Sequence, residues 1–185
     1  MSGVEERHFG TAELEAGLEH VRDAPADTGR VELVVRRPVE GEREELDSGE
    51  LDLAEGLAGD RWSQGKHGRP PTSTDTQLTL MSARAADLVA GTRERWPLAG
   101  DQLFVDIDLS EANLPAGTRL AVGDAVVEIT PPPHTGCKKF VQRFGLEAME
   151  FVNSPEGRAL RLRGVNARVV EPGAVRPGDE IRKLP

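Results

Sequence analysis

The stretch L-A-V-G-D-A-V-V-E-I-T-P-P-P-H-T-G-C, residues 120–137, joins a clear strand pattern to the single cysteine of this chain, Cys137. Apolar residues recur on both sides of Gly123-Asp124, which predicts two strands joined by a tight turn. Three prolines at 131–133 follow at once, and proline cannot donate a hydrogen bond within a sheet. We therefore expect the second strand to end at residue 130.

The remaining chain contains short β-rich segments separated by Gly and Pro turns, which indicates a β-barrel or sandwich. The predicted helices are too few, and follow the wrong strands, to connect parallel strands. The predicted helices cover residues 11–23, 82–90 (capped by Ser82 and ended by Gly91) and about 137–153, with a weak point at Gly145. The predicted strands cover residues 31–36, 77–81, 103–108, 125–130, 167–170 and 180–184, with a polar hairpin at 43–53 turning at Ser48-Gly49 and a turn over 173–178.

Length and composition favour one globular domain. The chain has 185 residues, 37% hydrophobic and 30% charged, with a mean hydropathy of −0.43. No apolar run approaches the roughly 20 residues of a membrane span, and the acidic start lacks a secretory signal. A lone cysteine forms no internal disulfide, which favours a reducing, cytoplasmic location. We expect a helical extension over residues 1–30 and a barrel domain over residues 31–185.

The charge of the chain is unevenly distributed. The net charge of −9 argues against non-specific nucleic-acid binding. Residues 1–60 hold six Lys/Arg and 17 Asp/Glu, whereas residues 134–168 hold seven basic and three acidic residues. The basic stretch is either a solvated surface or part of a site for an anion.

Cys137 is either a small buried side chain or a reactive thiol. It begins a predicted helix, and Lys138, Lys139 and Arg143 follow it. A helix start and nearby cations stabilise a thiolate, the form that a metal ligand or a sulfur nucleophile needs. His134 lies three residues earlier, which leaves a Cys-His thiolate pair open as a catalytic unit. The other histidines show no zinc spacing with it.

Two polar loops offer further ligands for an anion. The Gly- and Pro-rich stretch 56–74 is longer than most connecting loops, and such loops are uncommon unless functional or disordered. A second loop at 163–166 also contains glycine. Each alone is typical of a surface loop, but together with the stretch around Cys137 they would line one anion pocket. The candidate ligands in these loops are Asp60, Arg61, His67, Arg163, Gly164 and Asn166.

Several motifs in series resemble the MOSC domain, which occurs at the C-terminus of molybdenum cofactor sulfurases and as stand-alone proteins. The resemblance covers roughly residues 31–184. The motifs are A-E-G-L-A-G-D-R-W (54–62), T-Q-L-T-L-M-S (76–82), G-D-Q-L-F-V-D-I-D-L (100–109), G-T-R-L-A-V-G-D-A-V-V-E-I-T (117–130), H-T-G-C (134–137) and R-G-V-N-A-R-V-V-E-P-G-A-V-R-P-G-D-E-I (163–181).

The resemblance implies a mainly β fold, a MOSC-type β-barrel with a few short peripheral helices. It implies that Cys137 carries sulfur as a persulfide or ligates molybdenum. By position, the resemblance makes Cys137 the family cysteine and Gln77 the polar residue of the following strand. It places Gly59, Asp60 and Arg61 in the family's Gly-Asp-Arg segment, and Arg163, Gly164 and Asn166 in its Arg-Gly segment. The chain departs from the family pattern in having Gly136, not proline, before the cysteine, and Trp62, not histidine, after Gly-Asp-Arg, with His67 displaced.

The resemblance leads us to expect a stand-alone protein in which Cys137 carries sulfane sulfur or binds the molybdenum of a pterin cofactor. Charge for an anionic small molecule or molybdopterin would come from Arg61, Lys138, Lys139, Arg143 and Arg163. Two alternatives are a molybdenum-dependent reductase of N-hydroxylated compounds and a non-catalytic module that holds the cofactor. A sulfur donor or redox partner protein is expected, with neither nucleic acid nor membrane as partner. The family is linked to pyridoxal phosphate enzymes, but no lysine here is identified as a Schiff-base residue, so catalytic pyridoxal phosphate is not expected.

Overall fold

Seven strands close into a β-barrel in a computed structural model that describes residues 7–185. The barrel order is β11-β7-β8-β9-β5-β6-β1, and pairing of β11 with β1 closes it. The predicted class, a mainly β barrel with a few short helices, is therefore confirmed. The strands are β1 (Thr28–Arg36), β2 (Glu44–Glu45), β3 (Gly49–Asp52), β4 (Gly56–Leu57), β5 (Leu78–Ser82), β6 (Leu103–Asp106), β7 (Arg119–Val122), β8 (Ala125–Pro133), β9 (Val165–Glu171), β10 (Gly173–Val175) and β11 (Glu180–Lys183).

Several barrel strands bury both faces, because helices cover part of the outside. In β6, Leu103 and Val105 belong to an aliphatic cluster inside the barrel. Phe104, between them, belongs to a second cluster that contains most of the buried aromatic side chains and the buried residues of the helices. Side chains of successive strand residues point to opposite faces, so one continuous apolar run serves both clusters.

The described residues contain six short α-helices outside the barrel, together with 3₁₀ helices at Arg61–Gln64 and Arg93–Ala99. The predicted helix 11–23 is divided at Gly17, where an added Cβ would lie 2.3 Å from Leu88. The predicted weak point at Gly145 is confirmed, since its φ of 93° separates two helices. In the described chain no helix is long and apolar enough to cross a membrane. The helices are α1 (Thr11–Ala16), α2 (Leu18–Arg22), α3 (Ala83–Ala90), α4 (Lys138–Phe144), α5 (Leu146–Asn153) and α6 (Pro155–Ala159).

Helix α3 shows where a local prediction succeeded and a topological one failed. Ser82 accepts a hydrogen bond from the Ala85 amide, and Gly91 ends the helix in the left-handed conformation, both as predicted. The prediction that no helix connects parallel strands is wrong, because β5 and β6 pair in parallel and α3 lies between them in the chain. Parallel neighbours need a long crossover connection, which α3 and the 3₁₀ helix at 93–99 provide.

The prolines do not end β8, which continues to Pro133. Pro133 pairs with Val165 of β9, after a register shift that follows Ile129. A proline lacks the N–H donor but keeps its carbonyl acceptor, and Asn166 Nδ2 donates to the Pro132 carbonyl at 2.9 Å. The strand thus carries the chain to His134 along the side of the barrel.

The predicted hairpin over residues 43–53 is also wrong. β2 pairs with β1, whereas β3 pairs with β4 and with β10, a strand that falls in the predicted turn over 173–178. Gly49 is packed against another element, because an added Cβ there would lie 2.7 Å from Leu57 Cδ1. Gly49 therefore allows close packing in a three-stranded sheet, and it does not form the predicted local turn.

Candidate functional site

Cys137 lies at the N-cap of α4 with its side chain exposed. Partial burial raises the pKa of the thiol, but two influences outweigh it. The backbone N–H groups of Phe140 and Lys139 at the helix start favour the thiolate, as do the positive charges of Arg163 and Arg143. The pKa of Cys137 therefore lies below its ordinary value, which favours the thiolate form of this exposed side chain.

We expect the alkylation rate of Cys137 by iodoacetamide to reach half its maximum at a pH below about 8.5, the ordinary thiol pKa. Arg143→Gln should move that midpoint upward, because it removes one of the charges that favour the thiolate. Arg176→Gln is the charge-matched control, because Arg176 is exposed on the turn before β11, and it should leave the midpoint unchanged. A midpoint at or above 8.5 in the native protein would contradict an activated thiol.

Four arginines converge on one short segment beside this cysteine. Each of four consecutive carbonyls accepts a hydrogen bond from a different arginine: Pro97 from Arg43 Nε (3.0 Å), Leu98 from Arg143 Nη1 (2.6 Å), Ala99 from Arg163 Nη2 (2.8 Å) and Gly100 from Arg37 Nη1 (3.0 Å). We call these four residues the arginine cluster. The carbonyls lie at the C-terminal end of a 3₁₀ helix, which carries partial negative charge and therefore favours cations.

Two members of the arginine cluster have no acidic partner among residues 7–185. Asp60 neutralises Arg37, and Asp101 neutralises Arg163. No carboxylate lies within 4.0 Å of Arg43 or Arg143 in the described chain, although both are partly buried.

Burial lowers the pKa of both guanidinium groups, and repulsion by neighbouring arginines lowers it further. The Cys137 thiolate opposes this effect at Arg143. A bound anion would relieve the same repulsion, so the cluster is suited to an anionic group.

A buried polar group lies next to the cluster. Asp101 is fully buried, with Oδ2 at 2.6 Å from Arg163 Nη1 and Oδ1 at 3.2 Å from His134 Nε2. Burial opposes ionisation of Asp101, but the charge of Arg163 and the contact with His134 hold the pKa of its carboxyl well below the usual range.

The pKa of His134 is lowered too, which for an imidazole favours the neutral form. Burial lowers the pKa of His134, repulsion by Arg163 adds to the effect, and contact with Asp101 offsets it only in part. The imidazole is therefore neutral at pH 7, which allows one nitrogen to donate and the other to accept.

Two of the predicted basic residues, Lys139 and Arg61, pair with one glutamate, Glu40. Lys139 Nζ binds Glu40 Oε1 at 2.6 Å, and Arg61 Nη1 lies 4.0 Å from Glu40 Oε2. The pKa of Glu40 is lowered mainly by the hydrogen bond from Lys139, and the charges of Arg61 and His67 lower it further. The loop that contains Arg61 and His67 therefore lies beside the start of α4, while Lys138 is exposed and makes no ion pair in the described chain.

Other predicted ligands are already bonded inside the protein. Asp60 pairs with Arg37 and caps the 3₁₀ helix at Arg61–Gln64. Gln77 is fully buried, and its side chain donates to the Leu53 carbonyl and accepts from the Val169 amide. Asn166 holds the Pro132 carbonyl. At Gly164, with φ of 110°, an added Cβ would lie 2.4 Å from the Leu80 carbonyl oxygen. These residues position the strands and loops around Cys137.

Three residues of the site, Arg37, Arg43 and Asp101, are not among those predicted from the sequence. Asp101 lies within the motif G-D-Q at 100–102, directly before a predicted strand, and this position was a signal that could have marked it as a site residue. Arg37 and Arg43 lie in no distinctive pattern and reach the carbonyls of 97–100 only through the fold.

The chain belongs to the MOSC domain family, whose model matches residues 67–182. The match includes Cys137, His134, Asp101, Arg143 and Arg163, the inner part of the candidate site. No curated protein matches the chain.

Solved structures share the fold at low sequence identity. The YuaD protein from Bacillus subtilis superposes with a TM-score of 0.57 at 20% identity, covering 83% of this chain and 94% of that one. A hypothetical protein gives a TM-score of 0.57 at 22% identity, covering 90% and 71%. YiiM from Escherichia coli gives 0.55 at 19% identity, covering 84% and 70%. These similarities support the barrel fold.

Proposed function

We propose that this protein binds the molybdenum of a pterin cofactor through the Cys137 thiolate, with the arginine cluster holding the anionic part of that cofactor. The observation that carries the proposal is the presence of two partly buried arginines, Arg43 and Arg143, which have no carboxylate within 4.0 Å in the described residues, beside a thiol with a lowered pKa. A sulfur carrier would use Arg143 to favour the thiolate, whereas a cluster of several arginines also offers more than one contact to an anionic group.

The residues present fit such a cofactor. A thiolate is a soft ligand suited to a sulfur-rich metal centre, and guanidinium groups make two-point contacts with phosphate. When bound, the cofactor would supply electron-transfer and oxygen-atom chemistry. The chain itself would contribute the thiolate of Cys137, positive charge from Arg43 and Arg143, and a neutral imidazole at His134 that accepts or donates a proton.

Carriage of sulfane sulfur is the second candidate, favoured by the exposure of Cys137 at the end of a loop. An exposed thiolate is accessible to a sulfur donor protein, and sulfur transfer proceeds by attack of a thiolate on sulfur. Both candidate functions use the Cys137 sulfur. They are distinguished by whether the purified protein retains molybdenum and pterin or only sulfane sulfur.

Molybdenum analysis and pterin fluorescence after oxidative release, on protein purified from cells that make the cofactor, test the proposal. We expect both molybdenum and pterin in the native protein. Arg143→Gln should weaken retention roughly tenfold, because a charge-assisted hydrogen bond contributes about 1.5–3 kcal/mol. Arg176→Gln is the charge-matched control and should leave retention unchanged.

The other outcomes each select another function. Cyanolysable sulfur without molybdenum or pterin would replace the proposal with sulfur carriage. Retention of neither would leave an anion-binding module without catalytic chemistry. Turnover of an N-hydroxylated compound with a reductant would extend the proposal to a reductase that works with a redox partner protein.

A further inference from the structure

A cavity of about 250 Å³ lies beside His134, between the prolines at 131–133 and helix α6. Its wall includes His134 and Arg163, the two residues that contact buried Asp101. The other members of the arginine cluster do not line it. The cavity therefore adjoins the proposed cofactor position and is separate from it.

The lining of the cavity carries more positive than negative charge. Arg158, Arg161 and Arg163 line it, with Glu111 as the acidic residue. No carboxylate lies within 4.0 Å of Arg158 or Arg161 in the described residues. Burial lowers the pKa of Arg161, and the charge of Glu111 opposes that effect. Because Asp101 neutralises Arg163, the surplus comes from Arg158 and Arg161 against Glu111, and it would attract an anion into the cavity.

Some donors around the cavity are not used by the protein. Arg163 is 7% exposed, and its Nε is buried without a hydrogen-bond partner in the described chain. Arg158 donates Nε to the Asn153 carbonyl at 2.9 Å, which leaves its two Nη groups available. A buried N–H without an acceptor costs free energy, which an acceptor in the cavity would recover.

The rest of the wall is apolar or neutral. The three prolines present rigid apolar rings, and His134 presents a neutral imidazole. The volume is below the 300–1,000 Å³ typical of pockets for drug-sized ligands. The cavity therefore suits a small molecule with an apolar body and one anionic end.

We propose that this cavity is the substrate pocket of the Cys137 site and that it takes a small carboxylate-bearing molecule. Its link to Cys137 rests on the proposed function, whereas its preference for a carboxylate rests on the cavity alone. The carboxylate would bind at the arginines, and the apolar body would lie along the prolines beside His134.

Calorimetric binding of benzoate, with benzamide as its uncharged analogue, tests the preference. We expect benzoate to bind at least tenfold more tightly than benzamide. Arg158→Gln should weaken benzoate binding about 1.4-fold to fivefold, the range for an exposed charge pair, and Arg158→Glu should weaken it further. Arg176→Gln should have no effect. Equal affinities of benzoate and benzamide, or no effect of Arg158→Glu in a folded variant, would overturn the carboxylate preference.

A second measurement tests the link to Cys137. Bound benzoate should slow the alkylation of Cys137 at least twofold at pH 7, because its charge opposes thiolate formation near Arg163. An unchanged rate with benzoate bound would overturn the assignment of the cavity to the Cys137 site. Cys137→Ser should bind benzoate as the native protein does, so failure of the cofactor proposal is distinguishable from failure of the pocket.

Discussion

Cys137→Ser should abolish retention of molybdenum and formation of a persulfide while leaving the fold intact. A hydroxyl is a far poorer ligand for a soft metal than a thiolate, and it carries no sulfane sulfur. The side chain is exposed and serine is nearly isosteric with cysteine, so the stability change should stay within about 0.5 kcal/mol. Metal analysis, cyanolysis and thermal melting measure the three quantities.

Arg143→Gln provides the comparison for this prediction, because it should weaken retention of the cofactor while the thiol remains available. Cys137→Ser removes the sulfur and keeps the arginine cluster. Undiminished molybdenum in Cys137→Ser, measured against native protein prepared in parallel, would remove Cys137 as the metal ligand.

Arg163→Ala should cause the largest loss of stability among these variants, about 3–5 kcal/mol. The reason is that it leaves Asp101, which is fully buried, without its cation and leaves the Ala99 carbonyl without its donor. For a chain of this length the melting temperature should fall by about 6–20 °C. The sequence alone predicted Arg163 as an anion ligand, whereas both of its Nη groups bind inside the protein.

Arg119→Ala is the matched control, because Arg119 also pairs with a carboxylate but is exposed. Its effect should stay within about 1 kcal/mol. The double variant Arg163→Met/Asp101→Leu should recover much of the lost stability, because it removes the uncompensated charge. A melting temperature for Arg163→Ala within 2 °C of the native value would contradict a structural role for the buried pair.

The pH dependence of the stability follows from Asp101 and its neighbour His134. The pKa of Asp101 is lowered in the folded protein, so its stabilising contribution is present above the unfolded value of 3.8 and is lost as the pH falls further. The pKa of His134 is also lowered, so the unfolded chain binds the extra proton first, and stability begins to fall as the pH drops below 6.5. Arg163→Ala should therefore differ most from the native protein near neutral pH.

Local patterns were sufficient for most elements. The strand alternation, the Ser82 cap, the Gly91 stop and the break at Gly145 depend on residues within a few positions of one another. Predictions failed where a distant segment decides the structure. β8 continues through its prolines because β9 accepts the pairing, and β5 pairs in parallel with β6 because the barrel brings them together.

The candidate site also combines local features, which the sequence predicts, with contacts between distant segments, which it does not. That Cys137 starts a helix in a basic stretch could be predicted from the residues alone, because a helix start and neighbouring cations are local features. Which charges have no acidic partner depends on how distant segments pack together. Arg43 and Arg143 are 100 positions apart, yet both bind the segment 97–100, and Asp101 neutralises Arg163 from 62 positions away. Electrostatic interaction depends on distance in space and on burial, and neither can be read from spacing along the chain.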